Sequence, residues 1–284
     1  MSLLPLGCRR SLPTFILSPK LHFHAASLRI VYLGNVRTLL LTAFFAAGFA
    51  GYLSAQRTPV VVELFTSEGC SSCPAADNLL SRLPRSFSDV DVIPLSEHVD
   101  YWNHLGWKDR FSAPLFSDRQ QDYGRMFHLE SVYTPQIVIN GQIQCSGNDS
   151  QCVEQAIHKD GGPRATTQLM LISPVAMRVV VDHIPEHTRN ADVFLAVTES
   201  GLDSLPNKGE NNGVRLRHTG VVRNLTSLAH IDTKRSANYI VDAKLTPNSE
   251  WRQENLQYVL FVQDRATRRV IGATTLRPFA TNGR

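Results

Sequence analysis

Two cysteines at C-x-x-C spacing, set where an apolar run gives way to a helical pattern, constrain this chain more than any other feature. Val60-Val61-Val62-Glu63-Leu64-Phe65 reads as a buried strand and Thr66-Ser67-Glu68-Gly69 as a short turn. Cys70-Ser71-Ser72-Cys73-Pro74 then opens a helix, and Ala75-Ala76-Asp77-Asn78-Leu79-Leu80 continues it with helical apolar spacing. Residues three apart lie on one helix face, so the two thiols can meet. Unpaired N–H groups and the dipole at a helix start favour a thiolate. The pattern points to a dithiol/disulfide redox pair, with Cys70 as the exposed nucleophile and Cys73 as the buried resolving partner. Two observations pull the other way. Ser71-Ser72 adds no positive charge, and Glu68 disfavours a thiolate. The alternatives are a structural disulfide and half of a zinc site, although zinc needs four ligands and Cys145 and Cys152 are wrongly spaced to supply them.

The basic balance of the whole chain, +4, belongs to its first 57 residues. They hold Arg9, Arg10, Lys20, Arg29, Arg37 and Arg57 and no acid, which leaves 23 basic and 25 acidic residues, a net charge of −2, for 58–284. The body therefore carries no electrostatic signature of nucleic-acid binding. Thr38 to Tyr52 is uncharged and mostly apolar behind Arg29 and Arg37, the order of a signal peptide or an N-terminal membrane anchor. An acid-free, Arg-bearing leader also suits an organelle transit peptide. Export to the periplasm or the extracellular space is the expectation, and it agrees with the cysteine count. Beyond Cys8, the body holds an even four: Cys70, Cys73, Cys145 and Cys152.

The chain divides into a leader (1–57), a first domain (58–163) and a second (164–284), with the boundary at Gly161-Gly162-Pro163. In the first domain, the helix from Cys70 is expected to stop near Leu83-Pro84. Val90 to Leu95 reads as a strand, and Ser96 to Asp109 as a loop dense in aromatic and titratable side chains. Phe116 to Phe127 makes a helix with Phe116, Gln120, Tyr123 and Phe127 on one face. Thr134-Pro135 precedes a strand, Asn140-Gly141 a type I′ turn, and Asp149 to Lys159 a closing helix. This strand-helix-strand-helix-strand-strand-helix order is that of thioredoxin: an α/β domain with a central mixed sheet flanked by helices. In that fold the Thr-Pro position holds a cis-proline beside the C-x-x-C.

The run Glu63 to Pro74, His98-Val99-Asp100-Tyr101-Trp102, Leu105-Gly106-Trp107-Lys108-Asp109 and Tyr133-Thr134-Pro135-Gln136 closely resembles the domain-of-unknown-function family twelve-twenty-three. That family comprises exported bacterial proteins regarded as thioredoxin-like. The resemblance extends into the second domain through Arg215-Leu216-Arg217-His218 and Val221-Val222-Arg223. Because the family is uncharacterised, it implies a fold and a compartment more than an activity.

Around the cysteine pair, Pro135 is assigned to shape a groove in which backbone near Thr134 pairs with an extended substrate. His98, oriented by Asp100, is assigned to proton transfer, and Thr134, Asp100, Trp102 and Lys108 to substrate binding. A loop that merely folds over the site, or a metal held by His98, Asp100, His104 and a thiolate, are the competing readings of that cluster. Glu63, a carboxylate amid apolar strand residues, either accepts a proton from Cys73, faces a polar edge or pairs with Lys108. Cys145 and Cys152 bracket a short loop and are expected to close as a structural disulfide rather than relay electrons to Cys70.

In 164–284 short apolar runs separated by turn residues read as a C-terminal antiparallel β-sandwich, a recognition or packing module. Arg215, Arg217, His218 and Arg223 form either an anion site or the solvated side of a strand. The sequence thus describes an exported thiol-disulfide oxidoreductase acting through Cys70 and Cys73 on a protein or small-molecule thiol or disulfide. No organic cofactor and no metal are expected. The alternative is a non-catalytic binding protein on the same scaffold for a metal, a ligand or an envelope partner.

Overall fold

A computed structural model describes residues 57–159, 161, 165–235, 238–246 and 248–278. The apolar segment Thr38 to Tyr52 and the rest of the leader before Arg57 lie outside the described residues.

The strand ahead of the cysteines is β1 (Thr58–Thr66), and α1 (Cys73–Ser86) follows it directly. Then come β2 (Val90–His98), a 3₁₀ turn (Asn103–Leu105), α2 (Pro114–Met126), β3 (Gln136–Ile139), β4 (Ile143–Ser146) and α3 (Ser150–Lys159). The second half contributes β5 (Thr166–Ser173), β6 (Ala176–Asp182), β7 (Asn190–Glu199), β8 (Leu202–Ser204), β9 (Leu216–His218), β10 (Val221–Asp232), β11 (Tyr239–Lys244), β12 (Leu256–Asp264) and β13 (Val270–Leu276).

The helix α1 passes through Pro84 instead of stopping before it. Proline in the last turn forfeits one backbone bond, and the burial of Leu83 on the same turn holds the helix together past it. The strand β2 runs on to His98, three residues further than its apolar pattern suggests. Its parallel pairing with β1 continues to the Thr66–His98 register. The Asn140-Gly141 turn has positive φ at both residues, 44° and 66°, as a type I′ hairpin requires.

Eight strands form one mixed sheet in the order β13-β12-β7-β10-β2-β1-β3-β4. The sheet therefore crosses the boundary drawn at 161–163 from sequence. Its joint is the parallel pairing of Val221 in β10 with Ser96 in β2, supported by the Ser96 N–H donating to the Gly220 carbonyl at 2.8 Å. An open edge on β2 would expose unpaired backbone groups, and β10 covers it. The three-stranded sheet β11-β6-β5 stacks on the second half through Met177, Val179 and Val181 against Val193, Leu195, Leu260 and Val262.

Alternation along β1 sorts its side chains between two cores. Val60, Val62 and Leu64 pack against α1 and α3, with Leu80, Leu83 and Ile157. Val61 faces the other way, with Ile93, Leu95, Phe116 and Phe261. Glu63 lies on that second face. It is fully buried, ion-paired with the Arg119 guanidinium, and accepts the Tyr123 hydroxyl proton at 2.7 Å. It is therefore turned away from Cys73 and Lys108 alike. Glu97, on the same face, has its carboxyl pushed well above the usual range by burial and by Glu63.

Candidate functional site

The cysteine pair sits where β1 ends and α1 begins. Cys70 and Cys73 form a disulfide with their Cα atoms 5.4 Å apart, and the Cys73 N–H donates to the Cys70 carbonyl at 3.1 Å. Ser72 stands at the N-cap position without a side-chain capping bond, and Pro74 occupies the first turn, where a missing N–H costs nothing. The expected contrast in exposure between the two thiols is absent, at 1 % for Cys70 and 0 % for Cys73. Cys70 is covered from the second half of the chain. One Asn211 amide nitrogen donates to the carbonyls of Glu68 and Cys70, each at 2.9 Å. Beside it the Ser71 N–H donates to the Glu210 carboxylate at 2.9 Å.

One turn along α1 from Cys73 is Asp77, on the same helix face. It is buried, and it accepts from the Thr66 hydroxyl at 3.2 Å. Thr66 and His98 are the last residues of two parallel neighbouring strands, so the site occupies the carboxyl end of the β1/β2 pair. Ligand sites gather at such ends. His98 and His218 meet there with ring centroids 4.9 Å apart, and Phe111 packs against both at 5.3 and 5.6 Å.

Carboxylates flank both imidazoles. Asp109 lies 2.7 Å from His98 Nδ1 and also accepts the backbone N–H groups of Glu68 and Phe111, each at 2.9 Å. Burial pushes the Asp109 carboxyl up, and the His98 charge with these hydrogen bonds more than reverses it, leaving a net depression. His218 Nε2 stands 3.3 Å from Glu68, and its Nδ1 stands 3.8 Å from Asp77, the latter too long for a hydrogen bond. Burial opposes the charged form of His218, but Asp77 and Glu68 outweigh it and carry its pKa up to about 9. Glu68 is completed by Trp107, whose Nε1–H donates to it at 2.7 Å. Among the described residues, the ion pairs of Glu68, Asp77 and Asp109 are all with these two histidines.

Residues 61–263 match the model of a family described as Protein of unknown function (DUF1223). The chain belongs to this family. Protein AGR_C_4864 from Agrobacterium tumefaciens, a crystal structure, is similar at 24 % identity and a TM-score of 0.63, over 81 % of this chain and 98 % of that one. HBP35 of Porphyromonas gingivalis is similar at 14 % identity and a TM-score of 0.57, over 80 % of this chain and 79 % of that one. At these identities the likeness concerns the fold. No curated protein matches the chain.

Against the family motifs, the structure distributes the sequence-derived residues unevenly. Thr134-Pro135 is cis, and Pro135 lies near α1: a Cβ built on Gly147 would stand 2.8 Å from both the Ala76 and Pro135 Cβ atoms. Trp102 joins this rim, with its Nε1–H donating to Thr134 Oγ1 at 2.8 Å and its Cβ 3.2 Å from a Cβ built on Gly69. Asp100 does not orient His98; its carboxylate accepts from the Ser117 hydroxyl of α2 and its N–H donates to the same oxygen at 3.1 Å. Asp109 is the carboxylate on His98 instead. Lys108 is exposed and forms no ion pair among the described residues. His104 is exposed on the Tyr101 carbonyl, so the set His98, Asp100 and His104 is not gathered for a metal. Cys145 and Cys152 form the second disulfide.

Sequence reasoning missed Asp77, which reads as a polar position of an amphipathic helix, and Asn211, which lies in a stretch with no motif. It grouped His218 with its neighbouring arginines. The available signal was that Trp107, Asp109 and His218 all lie in the motifs shared with the family.

Two disulfides suit an oxidising compartment. Among the described residues no helix is long and apolar enough to cross a membrane.

Proposed function

We propose that the protein is an exported thiol-disulfide oxidoreductase of thioredoxin-like architecture, with residues 58–163 carrying the exchange and 164–284 acting as a sandwich-like module that completes its site. The observation that carries this reading is the Cys70–Cys73 disulfide at the head of α1, with cis Thr134-Pro135 packed near the same helix end. In one half-cycle an incoming substrate thiolate attacks Cys70 Sγ. The Cys70–Cys73 bond breaks and Cys73 leaves as a thiolate. A second substrate thiolate then attacks the mixed disulfide, so the substrate loses two electrons and the cysteine pair gains them. Asp77 lies one turn from Cys73 and 3.8 Å from His218 Nδ1, so a carboxylate and an imidazole stand near the pair for the proton that the thiols exchange. Thr134 and Trp102 line the approach, where an extended protein or small-molecule thiol partner would lie. The acidic body offers nothing to nucleic acid. The periplasm or extracellular space is the proposed location, with residues before 57 as signal or anchor.

Trapping tests this reading. The variant Cys73→Ala, reduced and mixed with a disulfide peptide, is expected to accumulate a mixed disulfide through Cys70. Absence of any Cys70 adduct in folded protein would overturn it.

The burial of Cys70 under Asn211 favours a second reading, a binding protein whose C-x-x-C stays oxidised. Under that reading, the pair resists reduction until the protein unfolds.

A further inference from the structure

Three side chains from separate parts of the chain converge beside the disulfide, and they leave ligand atoms unused. One nitrogen from each of His98 and His218 and one carboxylate oxygen of Asp77 lie within 4.8 Å of one another. All three residues are more than nine-tenths buried. His98 Nε2 and His218 Nδ1 are buried with no hydrogen-bond partner among the described residues. Buried polar nitrogens are seldom left so, and two of them in one cluster call for a ligand.

We propose that Asp77, His98 and His218 bind a divalent transition-metal ion of zinc type. His98 Nδ1 is hydrogen-bonded to Asp109 at 2.7 Å, and His218 Nε2 meets the Ser204 hydroxyl at 3.4 Å with the Glu68 carboxylate 3.3 Å away. That outer arrangement fixes the tautomer of a metal-ligating imidazole and aims its free nitrogen at the ion. The outer carboxylates are themselves held, Asp109 by two backbone N–H groups and Glu68 by the Trp107 indole.

Charge points the same way. Glu68, Asp77 and Asp109 bring three carboxylates into a buried space whose ion-pair partners, among the described residues, are two imidazoles. A dication offsets that excess, taking the place of a proton on His218 Nδ1. Two imidazoles with one carboxylate suit zinc, cobalt, copper or ferrous iron rather than calcium or magnesium, which prefer all-oxygen sets. Three protein ligands leave at least one position for water or substrate. Metal bonds of about 2.0–2.1 Å place tetrahedral ligands about 3.3 Å apart. His218 Nδ1 and Asp77 Oδ1, at 3.8 Å, need little movement to reach that spacing. The site uses no sulfur, so it does not depend on thiol exchange.

The test is titration of the full chain with Co²⁺ and Zn²⁺, disulfides closed, after removal of metals with a chelator. One equivalent of Co²⁺ is expected to bind with the visible absorption of a low-coordinate nitrogen and oxygen site, and Zn²⁺ to displace it. Folded His98→Asn and Asp77→Asn variants lose this binding, while Asp109→Asn weakens it about 10- to 100-fold. His104→Asn and the double variant Cys70→Ser/Cys73→Ser keep it. Failure of the wild-type protein to bind either ion overturns the proposal, as does undiminished binding in folded Asp77→Asn or His98→Asn. Loss of binding in the folded double-serine variant overturns it by assigning the ion to sulfur. Because the wild-type titration decides by itself, a variant that fails to fold does not shield the proposal. None of these outcomes bears on mixed-disulfide trapping, which tests the exchange reading separately.

Discussion

Replacing Asn211 by alanine isolates what keeps reagents from Cys70. The cysteine is 1 % exposed, so an in-line attack on its sulfur requires the segment between β8 and β9 to lift first. That segment is tied down by the two hydrogen bonds from Asn211 to the Glu68 and Cys70 carbonyls and by the Ser71 N–H on Glu210, which the substitution leaves in place. Its own turns, Gly213 N–H to the Pro206 carbonyl at 2.8 Å and Val214 N–H to the Asn211 carbonyl at 3.0 Å, move with it and are not lost. Each neutral hydrogen bond contributes about 1 kcal/mol net, so Asn211→Ala removes about 2 kcal/mol of closure. At about 1.4 kcal/mol per decade, local opening becomes roughly thirtyfold more frequent. The assay is dithiothreitol reduction in native buffer, with released thiols alkylated at intervals and assigned by peptide mapping. Cys145–Cys152 serves as an internal clock, because among the described residues the hydrogen bonds of Asn211 go to Glu68, Cys70 and its own turn. The expected result is roughly thirtyfold faster reduction of Cys70–Cys73 with the second disulfide unchanged. An unchanged Cys70–Cys73 rate refutes gating by this segment. Equal acceleration of both disulfides refutes it too, since global unfolding would then be the route.

Two further substitutions test the scaffold. Arg119 is the cation between Glu63 and Glu97; burial pushes its pKa down, and Glu63, Tyr123 and Glu97 together more than reverse that. Arg119→Met strands a buried carboxylate and is expected to cost about 3–5 kcal/mol in urea unfolding, and a loss below 1 kcal/mol would contradict the network. Opening the short loop of Cys145–Cys152, with its separation of seven residues, by Cys145→Ser/Cys152→Ser is expected to cost about 2.5 kcal/mol on loop entropy alone. A melting temperature equal to the wild type would show that the bond adds nothing.

Much of the first half was legible because its signals are local. Apolar runs, a Pro after the second cysteine, Asn-Gly and Thr-Pro each act within a few residues, and they placed β1, α1, the β3–β4 hairpin and the cis proline's position. What failed was long-range. Alternation cannot say which face of β1 meets which helix, so it leaves Cys73, a polar edge and Lys108 equally open to Glu63, which faces Arg119. Sequence proximity made Asp100 the natural partner of His98. The strand end at His98 sends residues 99–113 around a loop that returns Asp109 instead, and Asp100 meets Ser117. No local pattern announces that β10 pairs with β2, and without that pairing His218 has no reason to approach His98.

That pairing also explains why the site belongs to neither half alone. Cys70, Cys73, Asp77, His98 and Asp109 come from the first half, but the imidazole that faces His98 and the amide that closes over Cys70 come from the second. Gly220, at φ 65°, turns the chain between them, and a Cβ there would meet the Pro94 carbonyl of β2 at 2.5 Å. The tight approach of that glycine sets β10 against β2 and His218 two residues upstream over the end of the same strand. Glu68 then ties the two chemistries together through a single residue. Its backbone binds Asp109 and Asn211, its carboxylate binds Trp107 and faces His218, and Cys70 follows two residues later. The disulfide is thus joined to the histidine cluster on both sides, Cys70 two residues from the carboxylate that faces His218 and Cys73 one helical turn from Asp77.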